Sequence, residues 1–154
     1  MAATKKRRPT VVNLLIFLEV FLGINGLVGG IPFLIAPDGS ILRMPFSHLQ
    51  NTPFRDFTVP GLLLTIFLGL YPLAAAYGVW KLPPWRWPEA INPFRQFHWS
   101  WAGSIAAGVI AMVWIVVQIQ WIPLGFLHVF IFVWGLLIVL TAMLRGVREY
   151  CKRA

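Results

Sequence analysis

Glu19 is the only acidic residue inside any of the long apolar stretches of this sequence. An acid at the centre of a membrane helix costs roughly 2.5 to 3.5 kcal/mol on insertion scales. It therefore calls for a partner, a water-filled cavity or a function. Gly23, Gly26 and Gly30 follow it at spacings of four, three and four, which on a helix places all four within about 60° of one another. A glycine face lets a neighbouring backbone approach closely, and Gly26–Gly30 is a GxxxG pair. The three glycines are thus expected to be helix-packing residues, and Glu19 to point into a bundle. No basic residue shares its depth, and burial without a cation favours the neutral carboxyl. A protonated Glu19 bonding a backbone carbonyl is one reading; a proton- or cation-binding carboxyl is the other.

Four further polar side chains lie in apolar surroundings: Asn25, Thr65, Gln118 and His128. Along their helices they fall about 21, 20, 28 and 23 Å from the end nearer the chain termini, with Glu19 at about 12 Å. Two outcomes follow from that shared depth. They form interhelical hydrogen bonds, worth about 0.6 kcal/mol on average, or they line a small polar pocket with His128 as its titratable member. Metal and haem chemistry fare worse. His98 and His128 sit at opposite depths and cannot be the two axial ligands of one haem. His48 has no metal-ligand spacing to His128. No Ser/His/Asp array, phosphate loop or carboxylate pair is present. No cofactor is predicted, although a quinone, a lipid or a pigment held by His128 fits the residues.

These side chains must be positioned by membrane helices. The chain has 154 residues, of which 58% are hydrophobic and 12% charged, about half the charged share of a soluble domain. No Asp, Glu, Lys or Arg occurs between Asp56 and Lys81, or between Arg95 and Arg145. A span needs about 20 apolar residues, so the first gap holds one helix and the second holds two. The fold class is all-α: an integral membrane four-helix bundle in one domain, with spans at about 11–35, 58–80, 99–119 and 123–144. These segments are apolar all round, unlike the surface helices of a soluble core.

The basic residues predict orientation. Of the 13 Lys and Arg, all but Arg43 and Arg55 fall in the N-terminal tail, the 81–95 loop or the C-terminal tail. The positive-inside rule then puts both termini in the cytoplasm of an inner, or plasma, membrane. The net charge of +8 is explained by this bias and by contact with anionic headgroups. No motif for nucleic acid accompanies it. The apolar stretch after Lys5, Lys6, Arg7 and Arg8 exceeds a signal-peptide core of about 7–15 residues, so it reads as a retained anchor.

The connecting segments carry their own expectations. Residues 36–57 have turns at Pro37–Ser40 and Asn51–Pro53. Between the turns, Ile41, Leu42, Met44, Phe46 and Leu49 are too apolar for a free tether. The segment should lie on the membrane surface or fold over the mouth of the bundle, with Arg43–Asp38 and Arg55–Asp56 as local ion pairs. Thr58 is a candidate N-cap, and Pro72 should kink the second helix. The 81–88 run is too rich in proline for a regular helix. Its tryptophans, with Phe94, Phe97, Trp99 and Trp101, read as an aromatic belt. Cys151, the only cysteine, excludes a disulfide within the chain; its position permits palmitoylation, and an inert thiol is the simpler reading.

Gly26–Gly30, Pro37–Ser40, Met44-Pro45, Thr52–Phe57 and Val59-Pro60-Gly61, with the Trp114–Gln118 end of the third helix, resemble a family of small uncharacterised bacterial four-span membrane proteins, broadly DoxX-like. The resemblance implies the fold and no catalytic residue. Small multidrug resistance transporters also have four spans and a buried glutamate in the first helix, like Glu19, which binds protons or a cationic drug. This chain differs from them in its long first loop and proline-rich second loop. The reading is therefore a non-enzymatic accessory or interaction subunit that contacts the bilayer and other membrane subunits, or a second copy of itself. A small proton-coupled transporter using Glu19 is the first alternative. A redox-associated protein binding quinone or lipid near Asn25, Gln118 and His128 is the second.

Overall fold

The structure is a computed structural model and describes residues 8–153; Lys5, Lys6 and Arg7 of the basic tail lie outside the described residues. Four helices are long and apolar enough to cross a membrane: α1 (Thr10–Ile35), α2 (Thr58–Lys81), α4 (Trp99–Gln118) and α5 (Phe126–Met143). Two short α-helices accompany them, α3 (Arg86–Ala90) and α6 (Arg145–Cys151), together with a 3-10 helix at Phe46–Leu49. No strand occurs among the described residues. The spans match the apolar stretches to within a few residues, except that α5 starts at Phe126. Pro123 and the extended Gly125 keep the turn before it non-helical. The bundle has a terminal end, where Gly146 of α6 packs against Val11 and Pro9, and an opposite loop end.

The glycine face of α1 meets α2. A Cβ on Gly23 would lie 2.9 Å from the carbonyl oxygen of Gly69, and one on Gly30 2.8 Å from that of Gly61. One on Gly26 would collide with the carbonyl of Leu68. Gly29, off this face, has open space. Close backbone packing is thus what the spacing encodes.

Pro72 does not break α2. It follows a π-helical segment, Leu64–Leu70, and sits near the start of the α-helical part that resumes at Tyr71. Proline lacks an N–H and crowds the carbonyl four residues back, here Leu68. The wider π turn makes room: the Tyr71 N–H bonds the Ile66 carbonyl, five residues back. The carbonyl of Leu68, without its usual donor, is the one pressed on Gly26.

The terminal end is more ordered than an interfacial belt. Trp99 and Trp101 are buried; the Trp101 indole N–H donates to the Ala142 carbonyl at 2.9 Å, and Trp85 stacks on Trp99 at 5.4 Å. Trp85 and Trp87 remain exposed. The five-residue helix α3 forms within the proline-rich loop, where no helix was expected. The chain then folds back after α6: the His98 N–H bonds the Cys151 carbonyl and the Arg153 N–H that of Gln96. Cys151 is only 2% exposed, so its thiol is packed rather than offered for modification.

Candidate functional site

Residues 36–57 fold over the loop end of the bundle. Gly39 makes this possible by taking a φ of 77°, against the ring of Phe57; a side chain there would clash and strain the backbone. The Phe57 N–H bonds the Pro37 carbonyl at 2.9 Å, and its ring stacks on Phe33 of α1 at 4.7 Å. Leu49 completes a small apolar cluster separate from the main core. The expected Arg43–Asp38 and Arg55–Asp56 pairs do not form. Each carboxylate instead accepts a backbone N–H two residues on, from Ser40 or Thr58. Hydrogen bonding holds both acids below the usual carboxylate range, from the Ser40 side chain and then its backbone N–H for Asp38, and from the Thr58 backbone N–H and then its side chain for Asp56. Thr58 makes no cap bond of its own; Asp56 supplies the acceptor at the start of α2.

Beneath this cap lies a partly open cavity of about 130 Å³. Phe33, Phe54, Phe57, Trp114 and Trp121 form aromatic walls, and Leu49, Leu63, Leu64 and Val117 fill the gaps between them. Its polar side chains are His48, Thr52 and Gln118. The Thr52 hydroxyl is already used, donating to the Leu49 carbonyl and accepting from the Phe54 N–H. The Nδ1 atom of His48 is buried and has no hydrogen-bond partner among the described residues. No residue of α5 lines the cavity.

The expected polar layer does not assemble. Asn25 is exposed and bonds the Phe21 carbonyl one turn back on its own helix. Thr65 bonds the Gly61 carbonyl in the same way. His128 accepts the Gly125 N–H at 3.0 Å and so caps α5. Local backbone acceptors and donors outcompete distant side chains because they need no interhelical geometry. Of the four, only Gln118 reaches the cavity, where its polar company is His48 rather than His128. Among the described residues, no group of three or more His, Cys, Asp or Glu side chains is placed to hold a metal.

Comparison with known proteins finds no family model, no curated protein and no solved structure that matches this chain. Function therefore rests on the geometry of its sites.

Glu19 occupies a second, separate locus. It is fully buried on the face of α1 that packs against α2. Neither carboxylate oxygen receives a hydrogen bond among the described residues. Ser104 of α4 faces it, but the Ser104 hydroxyl donates to the Ser100 carbonyl at 2.9 Å. Tyr71 of α2 lies within its electrostatic range. Among the described residues, no salt bridge involves it. A buried polar group that receives no hydrogen bond costs about 1–3 kcal/mol. Glu19→Leu should therefore unfold at a higher denaturant concentration than the wild type, by a similar free energy, in a detergent unfolding titration. A lower midpoint would show that the carboxyl holds the bundle together.

Proposed function

We propose that this chain is a non-enzymatic membrane protein that captures a lipid-soluble small molecule, a single apolar ring with a polar substituent, in the cavity beneath residues 36–57. A quinone headgroup has that chemistry. The observation that carries this reading is His48, a residue lining a largely apolar cavity whose buried Nδ1 has no hydrogen-bond partner among the described residues. Ligand sites in general pair apolar walls with a few placed polar groups. A cavity of roughly 150 Å³ with apolar walls takes one benzene ring, so the space here suits a ring rather than a bulky headgroup. His48 and Gln118 would hydrogen-bond the substituent, and Trp114 and Trp121 would stack on or flank the ring. The opening, left uncovered by α5, would admit a ligand from the bilayer.

The basic residues around α3 and at both tails support an inner-membrane location with the termini in the cytoplasm. The cavity would then lie in the outer leaflet.

The test is a fluorescence titration in nanodiscs with a short-chain benzoquinone, which quenches tryptophan on contact. Saturable quenching is expected, with a large part of its amplitude lost in Trp114→Phe. His48→Leu should weaken binding about tenfold or more, the equivalent of one hydrogen bond of about 1.4 kcal/mol. Non-saturable quenching, equal in all three proteins, would exclude the proposal.

A further inference from the structure

Glu19 is sealed from the cavity, yet polar groups lead away from it toward the terminal end. Ser104 faces it from α4. One turn further on is Ser100, also fully buried. The Ser100 hydroxyl lies 2.8 Å from His98 Nδ1, and His98 Nε2 lies 3.0 Å from the carbonyl of Pro83 in the 82–98 loop. The tautomer follows from these contacts. The backbone N–H of Ser100 points at Nδ1, at 3.3 Å, so Nδ1 is an acceptor and the ring proton resides on Nε2. Burial, the largest influence on this ring, pushes His98 below the ordinary imidazole range, in keeping with a neutral ring. His98 also caps α4 through the same Nδ1.

We propose that Glu19 is an exchangeable proton site that communicates with the terminal end of the bundle through Ser104, Ser100 and His98. In one direction the carboxyl proton of Glu19 passes to Ser104 Oγ as the Ser104 proton moves on to Ser100. The Ser100 proton then passes to His98 Nδ1, and the Nε2 proton leaves to water. Because the Ser104 hydroxyl donates to the Ser100 carbonyl rather than to its hydroxyl, this step requires one water to enter the turn between the two hydroxyls. The net change is one carboxylate and one hydrated proton, and the reverse sequence restores the acid. The titratable group facing Glu19 from α2 is Tyr71. Along their whole lengths α4 and α5 carry no Asp, Glu, Lys or Arg. Arg145, Arg148 and Glu149 belong to α6, which packs at the level of Pro9 and Val11. Among the described residues the column links the region of the carboxyl to the terminal end of the bundle.

Hydrogen–deuterium exchange of the carboxyl, followed by infrared difference spectroscopy on the protein in nanodiscs, tests this. The Glu19 band is identified by its loss in Glu19→Gln. In the wild type it should shift as soon as deuterated buffer is mixed in. Ser104→Ala removes one relay hydroxyl. His98→Asn removes the ring while keeping a side chain suited to capping α4. Each should slow the shift at least tenfold. An unchanged rate in either variant overturns the proposal, as does a wild type with no band sensitive to Glu19→Gln.

Discussion

Gly26→Ala should lose stability by about 1–3 kcal/mol, the usual cost of forcing a methyl into a packed interface. Gly29→Ala, three positions on, should be neutral or gain about 0.5–1 kcal/mol from the higher helix propensity of alanine. The contrast comes from what each Cβ would meet. At Gly26 it strikes the Leu68 carbonyl and comes within 2.6 Å of the Gly69 nitrogen. Those are backbone atoms of the π segment, which is held by its place ahead of Pro72. They cannot rotate away as a side chain would, so α1 and α2 must separate along their length. At Gly29 the methyl enters open space. Unfolding titrations of the two variants in one detergent measure the difference. Equal stabilities would mean that the α1–α2 contact is looser than described.

Phe57→Ala should abolish ring binding while leaving the bundle folded. Phe57 is 3% exposed and is the residue on which the cap closes. It stacks on Phe33, meets Phe46 edge-on at 6.1 Å and packs on Gly39. Truncating a buried phenylalanine costs about 3–5 kcal/mol. Here that cost falls on a cluster separate from the main core, so the cap opens rather than the bundle. Amide exchange should speed up across residues 44–57 and stay slow in α1 and α4. Benzoquinone quenching should lose its saturable phase. Retention of tight binding with an opened cap would place the ligand elsewhere.

The parts of this molecule that were legible in the sequence are those governed by a helical period or by length. Charge gaps fixed the four spans, because a membrane helix admits so few ionisable groups. The spacing of Gly23, Gly26 and Gly30 identified the close face of α1, and Glu19 was rightly placed inside. The cavity was not legible. Its walls come from Phe33, His48, Phe57 and Trp114, which lie on α1, a loop holding one short 3-10 helix, and α4. A loop closed by one positive-φ glycine and a ring stack leaves no period to read. Depth alone misassigned the polar layer: Asn25, Thr65 and His128 share a level, but each meets its needs on its own helix. Nothing in the spacing of Ser104 showed that it would face Glu19. The π segment also went unseen, although Pro72 in the interior of a long apolar helix was its signal.

The same physics ties stability to function. Glu19 and His48 each bury a polar group without full compensation, and such departures from local optimality concentrate at working sites. The two loci lie at different depths of one bundle and are testable apart.

The central claim is that the cavity under the 36–57 cap holds a ring-bearing lipid-soluble molecule. The most direct measurement is mass spectrometry of small molecules retained after mild detergent extraction. Wild type is compared with Val117→Trp, whose added ring would occupy the cavity from a half-exposed position on α4. A single-ring species in near-stoichiometric amount should accompany the wild type and be lost from the variant. The same species at equal levels in both proteins, or none in either, would contradict the account.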